Sequence, residues 1–331
     1  MNHTPRTPSR PIAAAIVAGV VLAFTACTQL VLPIPDSTLE PDQAGADFSV
    51  QGEYATIGAP VSAQVVALGK GRFRAKILSG GLPGADPDSR PLMELLGAWR
   101  NNDVAFQGSG SALWSNGTLR VDLPDGENFT LPKVERTSPT LGAKPPPGAV
   151  IVFDGPGSSG VDGKVDERGL LSAGATSSLE FQDAHIHVEY RTPFEPNGEE
   201  QFRGNSGIYL QRRYEVQILD SFGQEPAIKG AGSLYGVRPP DVPMSFPPLS
   251  WQTYDIEFRA ARFDASGKRT RPAQVSVRHN GVVIHQGVEL DGPTGRGEPE
   301  GPAPGPLYLQ DHWHPVFFRN VWILPLDRGE G

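Results

Sequence analysis

His185-Ile186-His187-Val188-Glu189-Tyr190-Arg191 is the stretch that decides the fold class. Apolar and polar side chains alternate along it. Ile186, Val188 and Tyr190 face one way and His185, His187 and Glu189 the other, as in a strand with one face in a core. Tyr214-Glu215-Val216-Gln217-Ile218 repeats the pattern, with Glu215 and Gln217 on the face away from the core. Val275–His279 and Val282–His285 flank Asn280-Gly281, a pair that tolerates positive φ at both residues, so this run reads as a hairpin closed by a type I′ turn. Val150–Phe153 and Phe317–Ile323 read as further strands. The 331 residues include 39 Gly and 33 Pro without a fixed period, which excludes collagen and supplies the reversals that short strands need. No long stretch has an apolar period of 3.6. Residues 148–326 are therefore expected to form an all-β domain, a sandwich or jelly roll.

The rest of the chain divides by composition. Arg6 and Arg10 precede the apolar run Ile12–Ala26, which is too short for a comfortable membrane span and right for a signal peptide over residues 1–26. Its end, Leu22-Ala23-Phe24-Thr25-Ala26-Cys27, resembles a bacterial lipoprotein lipobox, with Phe24 where Leu is usual. Cys27 is the single cysteine, so no intramolecular disulfide can form. The resemblance implies lipidation of Cys27 and a lipid-anchored place in the bacterial cell envelope, with residues 27–46 as a flexible tether. Cys27→Ser should then move the protein out of the detergent phase, and an unchanged membrane fraction would count against lipidation. Residues 47–137 read as a small β-rich domain. Val61–Leu68 and Arg72–Leu78 flank Gly69-Lys70-Gly71 as a hairpin, and Pro91–Arg100 reads as a single helix. Residues 138–147, with Pro145-Pro146-Pro147, read as a stiff Pro-rich linker that few contacts should cross. A net charge of −8 without a basic block excludes a nucleic-acid binder, and a monomer is expected.

An ordered series of motifs adds a family. Asn205-Ser206-Gly207-Ile208-Tyr209-Leu210, Tyr214–Ser221, Ser233-Leu234-Tyr235-Gly236, Trp251–Ile256, Asn280-Gly281-Val282, Gly292-Pro293-Thr294-Gly295, Leu309-Gln310-Asp311-His312 and Phe318–Trp322 together resemble the 3-keto-disaccharide hydrolase domain family over residues 148–326. The resemblance implies a concanavalin A-like jelly roll that cleaves glycosides whose sugar is oxidised at C3. In one departure, Trp313 stands where the family usually has Gly.

A 3-keto group acidifies the neighbouring C2–H. Base removal of that proton, loss of the C1 aglycone and addition of water would give net hydrolysis, and this needs a base near neutral pKa and a positive or hydrogen-bonding group at the enolate oxygen. Glu215 and His312 are the candidate catalytic residues, with an acid such as Asp311 expected to raise the pKa of His312. Glu189, Arg203, Asn205, Gln217, Trp251, Gln310, Asp311 and Trp313 are the candidate substrate-binding residues, and Trp251, Trp313 and Tyr235 offer rings for sugar stacking. Two other readings remain open. A direct retaining glycosidase would need a second carboxylate about 5–5.5 Å from Glu215, and Asp220 reaches that face only through a β-bulge. A non-catalytic, lectin-like carbohydrate binder would use the same face. His185, His187 and Glu189 share a strand face that can hold a divalent metal ion, and no other cofactor motif is present.

Overall fold

The computed structural model describes Met1 and residues 37–326. The signal segment and Cys27 lie outside the described residues. No helix among the described residues is long and apolar enough to cross a membrane.

The chain is nearly all strand. Eight antiparallel strands, from Gly52–Ala55 to Asn128–Val134, follow one another as a meander and close into a barrel when the first pairs with the last, Glu53 opposite Val134. Closure leaves no free edge. Val61–Ala67 and Arg72–Ser79 form the expected hairpin, and Gly69, Lys70 and Gly71 all have positive φ in its turn. The expected helix at Pro91–Arg100 is instead the strand Arg90–Arg100. Leu92, Leu95, Leu96 and Trp99 have the i, i+3, i+4, i+7 spacing of a helix, but Leu92 and Leu96 point to solvent, Leu96 being 67% exposed. The inward set has period two. Leu95 is buried, Gly97 lets the Phe106 ring approach, and Trp99 packs edge-on against Phe73 at 5.9 Å.

Residues 150–325 form the jelly-roll sandwich that the alternating strands imply. A five-stranded sheet runs in the order Val161–Asp162, Ala175–Phe181, Gly305–Leu309, Ser206–Leu210 and Tyr214–Ile218. A seven-stranded sheet lies opposite and contains Phe317–Pro325, Ala184–Arg191, Gln252–Arg259, Ala273–His279 and Val282–Leu290. Ile186, Val188 and Tyr190 from one sheet and Tyr214, Val216 and Ile218 from the other are buried in the shared core, as the alternation requires. Asn280 and Gly281 both have positive φ, and the Asn280 carboxamide oxygen accepts the Thr253 N–H at 3.0 Å.

Two segments expected to be loose are docked. The described end of the tether is folded. Thr38 exchanges two backbone hydrogen bonds with Phe194, Glu40 pairs with Arg168 and Arg191, and Gly45–Val50 is a short helix. The Pro-rich linker lies along the outer face of the seven-stranded sheet. Ser138 bonds Thr253 through their hydroxyls at 2.6 Å, Thr140 donates to Asp255 at 2.7 Å, and Asn320 and Trp322 donate to the Ala143 carbonyl. Prolines stiffen the segment, but the Ser138 and Thr140 hydroxyls and the Gly142 and Ala143 backbone match polar groups on that sheet face, so it is held as a strap.

Candidate functional site

The five-stranded sheet places the site on its outer face. In Tyr214–Ile218 the residues between the core positions are Glu215 and Gln217, and in the neighbouring Ser206–Leu210 they are Gly207 and Tyr209. Register sets Tyr209 directly opposite Glu215 and Gly207 opposite Gln217, with Tyr308 on the far side of Tyr209. These side chains therefore share one face across adjacent strands.

Glu215 is the centre. It is only 3% exposed, and no cation among the described residues pairs with it. Tyr209 Oη donates to its Oε2 at 2.7 Å. Burial pushes the carboxyl up to about 7, and the Tyr209 hydrogen bond offsets only part of that. Gly207 and Gly295 make the space it occupies. A Cβ on Gly207 would stand 2.5 Å from Oε1, and one on Gly295 would stand 2.3 Å from Oε2. Thr294 Oγ1 accepts the Glu215 backbone N–H at 2.6 Å, which holds the 292–297 loop against the strand.

Two buried polar atoms on this face, Gln217 Oε1 and Gln310 Oε1, have no hydrogen-bond partner among the described residues, and two residues beyond Gln310 the His312 Nδ1 has none either. Gln310 follows the Gly305–Leu309 strand, and its Nε2 lies 3.5 Å from Tyr209 Oη. Leaving a buried polar atom unsatisfied costs roughly 1–3 kcal/mol, so the two on the Glu215 face point to a ligand that completes them. His312 has its pKa lowered, chiefly by burial, which with the His314 and Arg296 charges outweighs a bond to its own backbone and the Asp311 charge. The expected rise is thus reversed, and the imidazole is neutral at pH 7. Asp311 instead accepts the Trp313 N–H at 2.9 Å, a local turn that holds Trp313 at φ 63° with its indole 70% exposed and edge-on to His312 at 4.9 Å.

The structure brings together Glu215, Gln217 and Gln310 around Tyr209, with Asn205 accepting from Gln217 Nε2, while His312 and Trp313 pack against each other in the segment just past Gln310. Three expected residues lie elsewhere. Arg203 is buried against Asp220 at 2.6 Å and donates to the Ala67 carbonyl of the barrel at 3.1 Å, so it is a structural ion pair. Trp251 is flanked by the guanidinium groups of Arg191 and Arg319, which occupy its ring faces. Glu189 sits under the strap, and against burial its bonds to His187, Asn320, the Gly142 N–H and Arg319 draw its pKa down to about 2. The metal arrangement does not form either. His187 Nδ1 is 2.6 Å from Asp255, while His185 is exposed beside Glu257, and no cluster of three metal-ligating side chains occurs among the described residues. Engagement of Asp220 by Arg203 also removes the second carboxylate of a retaining glycosidase.

Residues 153–324 match the model of the 3-keto-alpha-glucoside-1,2-lyase-like domain. The chain belongs to that family. Among solved structures it is similar to a provisionally named glycosyl hydrolase of Parabacteroides distasonis, at 31% identity and TM-score 0.51, over 54% of this chain and 84% of that one. A second provisionally named glycosyl hydrolase of the same organism matches at 18% identity and TM-score 0.40, over 54% of this chain and 95% of that one. No curated protein matches. Family and neighbour make the chain glycosyl-hydrolase-like. Sequence reading passed over Tyr209, inside a family motif, and Arg296, just after one. The alternation of Ser206–Leu210 puts Tyr209 on the Glu215 face, but only the register shows that the two residues are opposite each other. Arg296 directly follows the Gly292–Gly295 motif.

Proposed function

We propose that this site cleaves 3-keto-glycosides by elimination and hydration, with Glu215 as the base. The observation that carries the reading is Glu215 itself. It is a buried carboxylate with no cationic partner among the described residues and a pKa of about 7, sharing its face with two unpartnered polar atoms. Such a group exchanges a proton at neutral pH with little free-energy penalty in either direction. A paired surface carboxylate near its usual pKa would be a far weaker base. Glu215 takes the C2 proton, the C–H electron pair forms the C2=C3 bond, and the carbonyl π pair moves to the C3 oxygen. Collapse of that enolate restores the C3 carbonyl and forms a C1=C2 bond while the C1–O bond breaks, and the leaving oxygen takes up a proton. Water then adds hydroxyl to C1 and hydrogen to C2. Gln217 and Gln310 accept hydrogen bonds from sugar hydroxyls, and the exposed Trp313 indole offers a face to the sugar or its aglycone.

Solvent deuterium provides the test. In D2O the released 3-keto sugar should carry deuterium at C2 beyond a no-enzyme control. Full aglycone release with an unlabelled C2 would overturn the elimination route, and tight sugar binding without any release would favour a non-catalytic binder.

A further inference from the structure

The elimination route needs a group that takes up negative charge at the C3 oxygen, and none of Glu215, Gln217 Oε1 or Gln310 Oε1 can supply it, because each is an acceptor. One cationic residue is next in the chain to this face. Arg296 follows Gly295, where an added Cβ would stand 2.3 Å from Glu215 Oε2 and 3.1 Å from the Tyr209 hydroxyl. The Arg296 N–H lies 3.4 Å from Tyr209 Oη. Its side chain is exposed, and no hydrogen bond or ion pair engages the guanidinium among the described residues. Most other guanidinium groups of the sandwich are tied to carboxylates, including those of Arg168, Arg191, Arg203, Arg262 and Arg319. The Arg296 charge is felt by Tyr235 and by His312, whose ring Nδ1 is unpartnered, but it makes no contribution at Glu215. The base is therefore left unneutralised, and the residue next to its Gly295 cover, Arg296, carries a free, solvent-facing guanidinium and is anchored by its backbone at Tyr209.

We propose that Arg296 is a catalytic residue of this site, its guanidinium holding the C3 oxygen of the oxidised sugar and taking up the charge that forms there as the C2 proton leaves. The inference rests on the reading of the site as one that cleaves 3-keto-glycosides. It assigns the parts by type: acceptors for sugar hydroxyls, a donor for the ketone. A guanidinium suits the second task because it stays charged at any working pH and presents two parallel N–H groups to one oxygen or to an oxygen pair. An unoxidised glycoside, with a hydroxyl at C3, develops no charge for Arg296 to stabilise.

The test compares wild type, Arg296→Lys and Arg296→Met on a 4-nitrophenyl 3-keto-glucoside, using both anomers, with nitrophenolate release and C2–H exchange in D2O as readouts. Loss of one such donor costs about 10²–10³ in turnover. Arg296→Met is expected to lose kcat on that scale, with C2–H exchange falling in parallel and KM changing much less. Arg296→Lys, which keeps the charge but not the paired N–H groups, should recover part of the lost kcat and lie between Arg296→Met and wild type. Thermal melting should not move, because the side chain makes no contact that stabilises the fold. Wild-type turnover with Arg296→Met within about threefold of it, or a loss confined to KM, overturns the role of Arg296 alone. No nitrophenolate release by the wild type on either anomer overturns that role and the proposed function together.

Discussion

Glu215→Gln should abolish useful turnover and at the same time make the protein more stable above neutral pH. The activity loss follows from removing the base, and general bases contribute about 10²–10⁴-fold. Wild-type activity should rise with pH through about 7, because only the ionised carboxylate can take a proton. The stability gain follows from the same burial. A carboxylate with an ordinary pKa of 4.5 is held at about 7 in the folded chain. Between those values the folded state keeps a proton that the unfolded state releases, so stability falls as pH rises and reaches its floor above about pH 7. At 1.36 kcal/mol per unit the cost is on the order of 3 kcal/mol. Glutamine can still accept the Tyr209 hydrogen bond and carries no charge to desolvate. Melting curves at pH 5 and pH 8.5 should therefore nearly coincide with wild type at the lower pH, and lie roughly several degrees above it at the higher one. A variant that keeps a tenth of the activity, or that melts lower at both pH values, would remove Glu215 from the centre of the site.

The legible parts of the molecule were those written in a two-residue period. His185–Arg191 and Tyr214–Ile218 gave both core faces and put Glu215 and Gln217 on the outer one, and Asn280-Gly281 gave its turn with positive φ at both residues. Alternation says which face a residue takes but not what covers that face. Glu189 and His187 alternate outward just as Glu215 does, yet they are buried beneath the strap, where Glu189 is neutralised by Arg319. Glu215 is buried with no such partner among the described residues, and only the three-dimensional arrangement separates the two carboxylates. The barrel strand Arg90–Arg100 was lost for a related reason. Two leucines exposed on its outer face completed a helical spacing that local sequence could not tell from a core stripe. Arg203 looked like an oxygen binder because its partner Asp220 and its acceptor Ala67 are distant in sequence.

A fragment beginning at residue 146 should not fold as a stable monomer, because the barrel and strap complete the sandwich that carries the site. Arg203 is the clearest case. Its Nε pairs with Asp220 at 2.6 Å, while its other nitrogens reach the Ala67 carbonyl and Gln51 Oε1 of the barrel side. Asp220 lies just beyond the strand that holds Glu215 and Gln217, and its own N–H donates to the Arg203 carbonyl at 3.0 Å, which ties the end of that strand to Arg203. Phe194 and Leu249, both from the sandwich part of the chain, are buried in the barrel's apolar cluster, and Phe48 packs edge-on against Phe194 at 5.2 Å. Exposing two such side chains costs about 1.5–3 kcal/mol each, and loss of the strap takes hydrogen-bond partners from Thr253, Asp255 and Glu189. Together these losses are comparable to the total stability of an ordinary domain, about 5–15 kcal/mol. Within the full chain, Arg203→Ala should cost about 3–5 kcal/mol, since it leaves the Asp220 carboxylate buried without its cation. The fragment should elute as aggregate and lack a cooperative melt, and Arg203→Ala should lower the melting temperature while leaving residual activity proportional to the folded fraction. A monomeric fragment that melts cooperatively within a few degrees of the full chain would show instead that the sandwich holds its own edge strand. In that case the Arg203–Asp220 pair would stabilise the junction with the barrel without supporting the strand that positions Glu215.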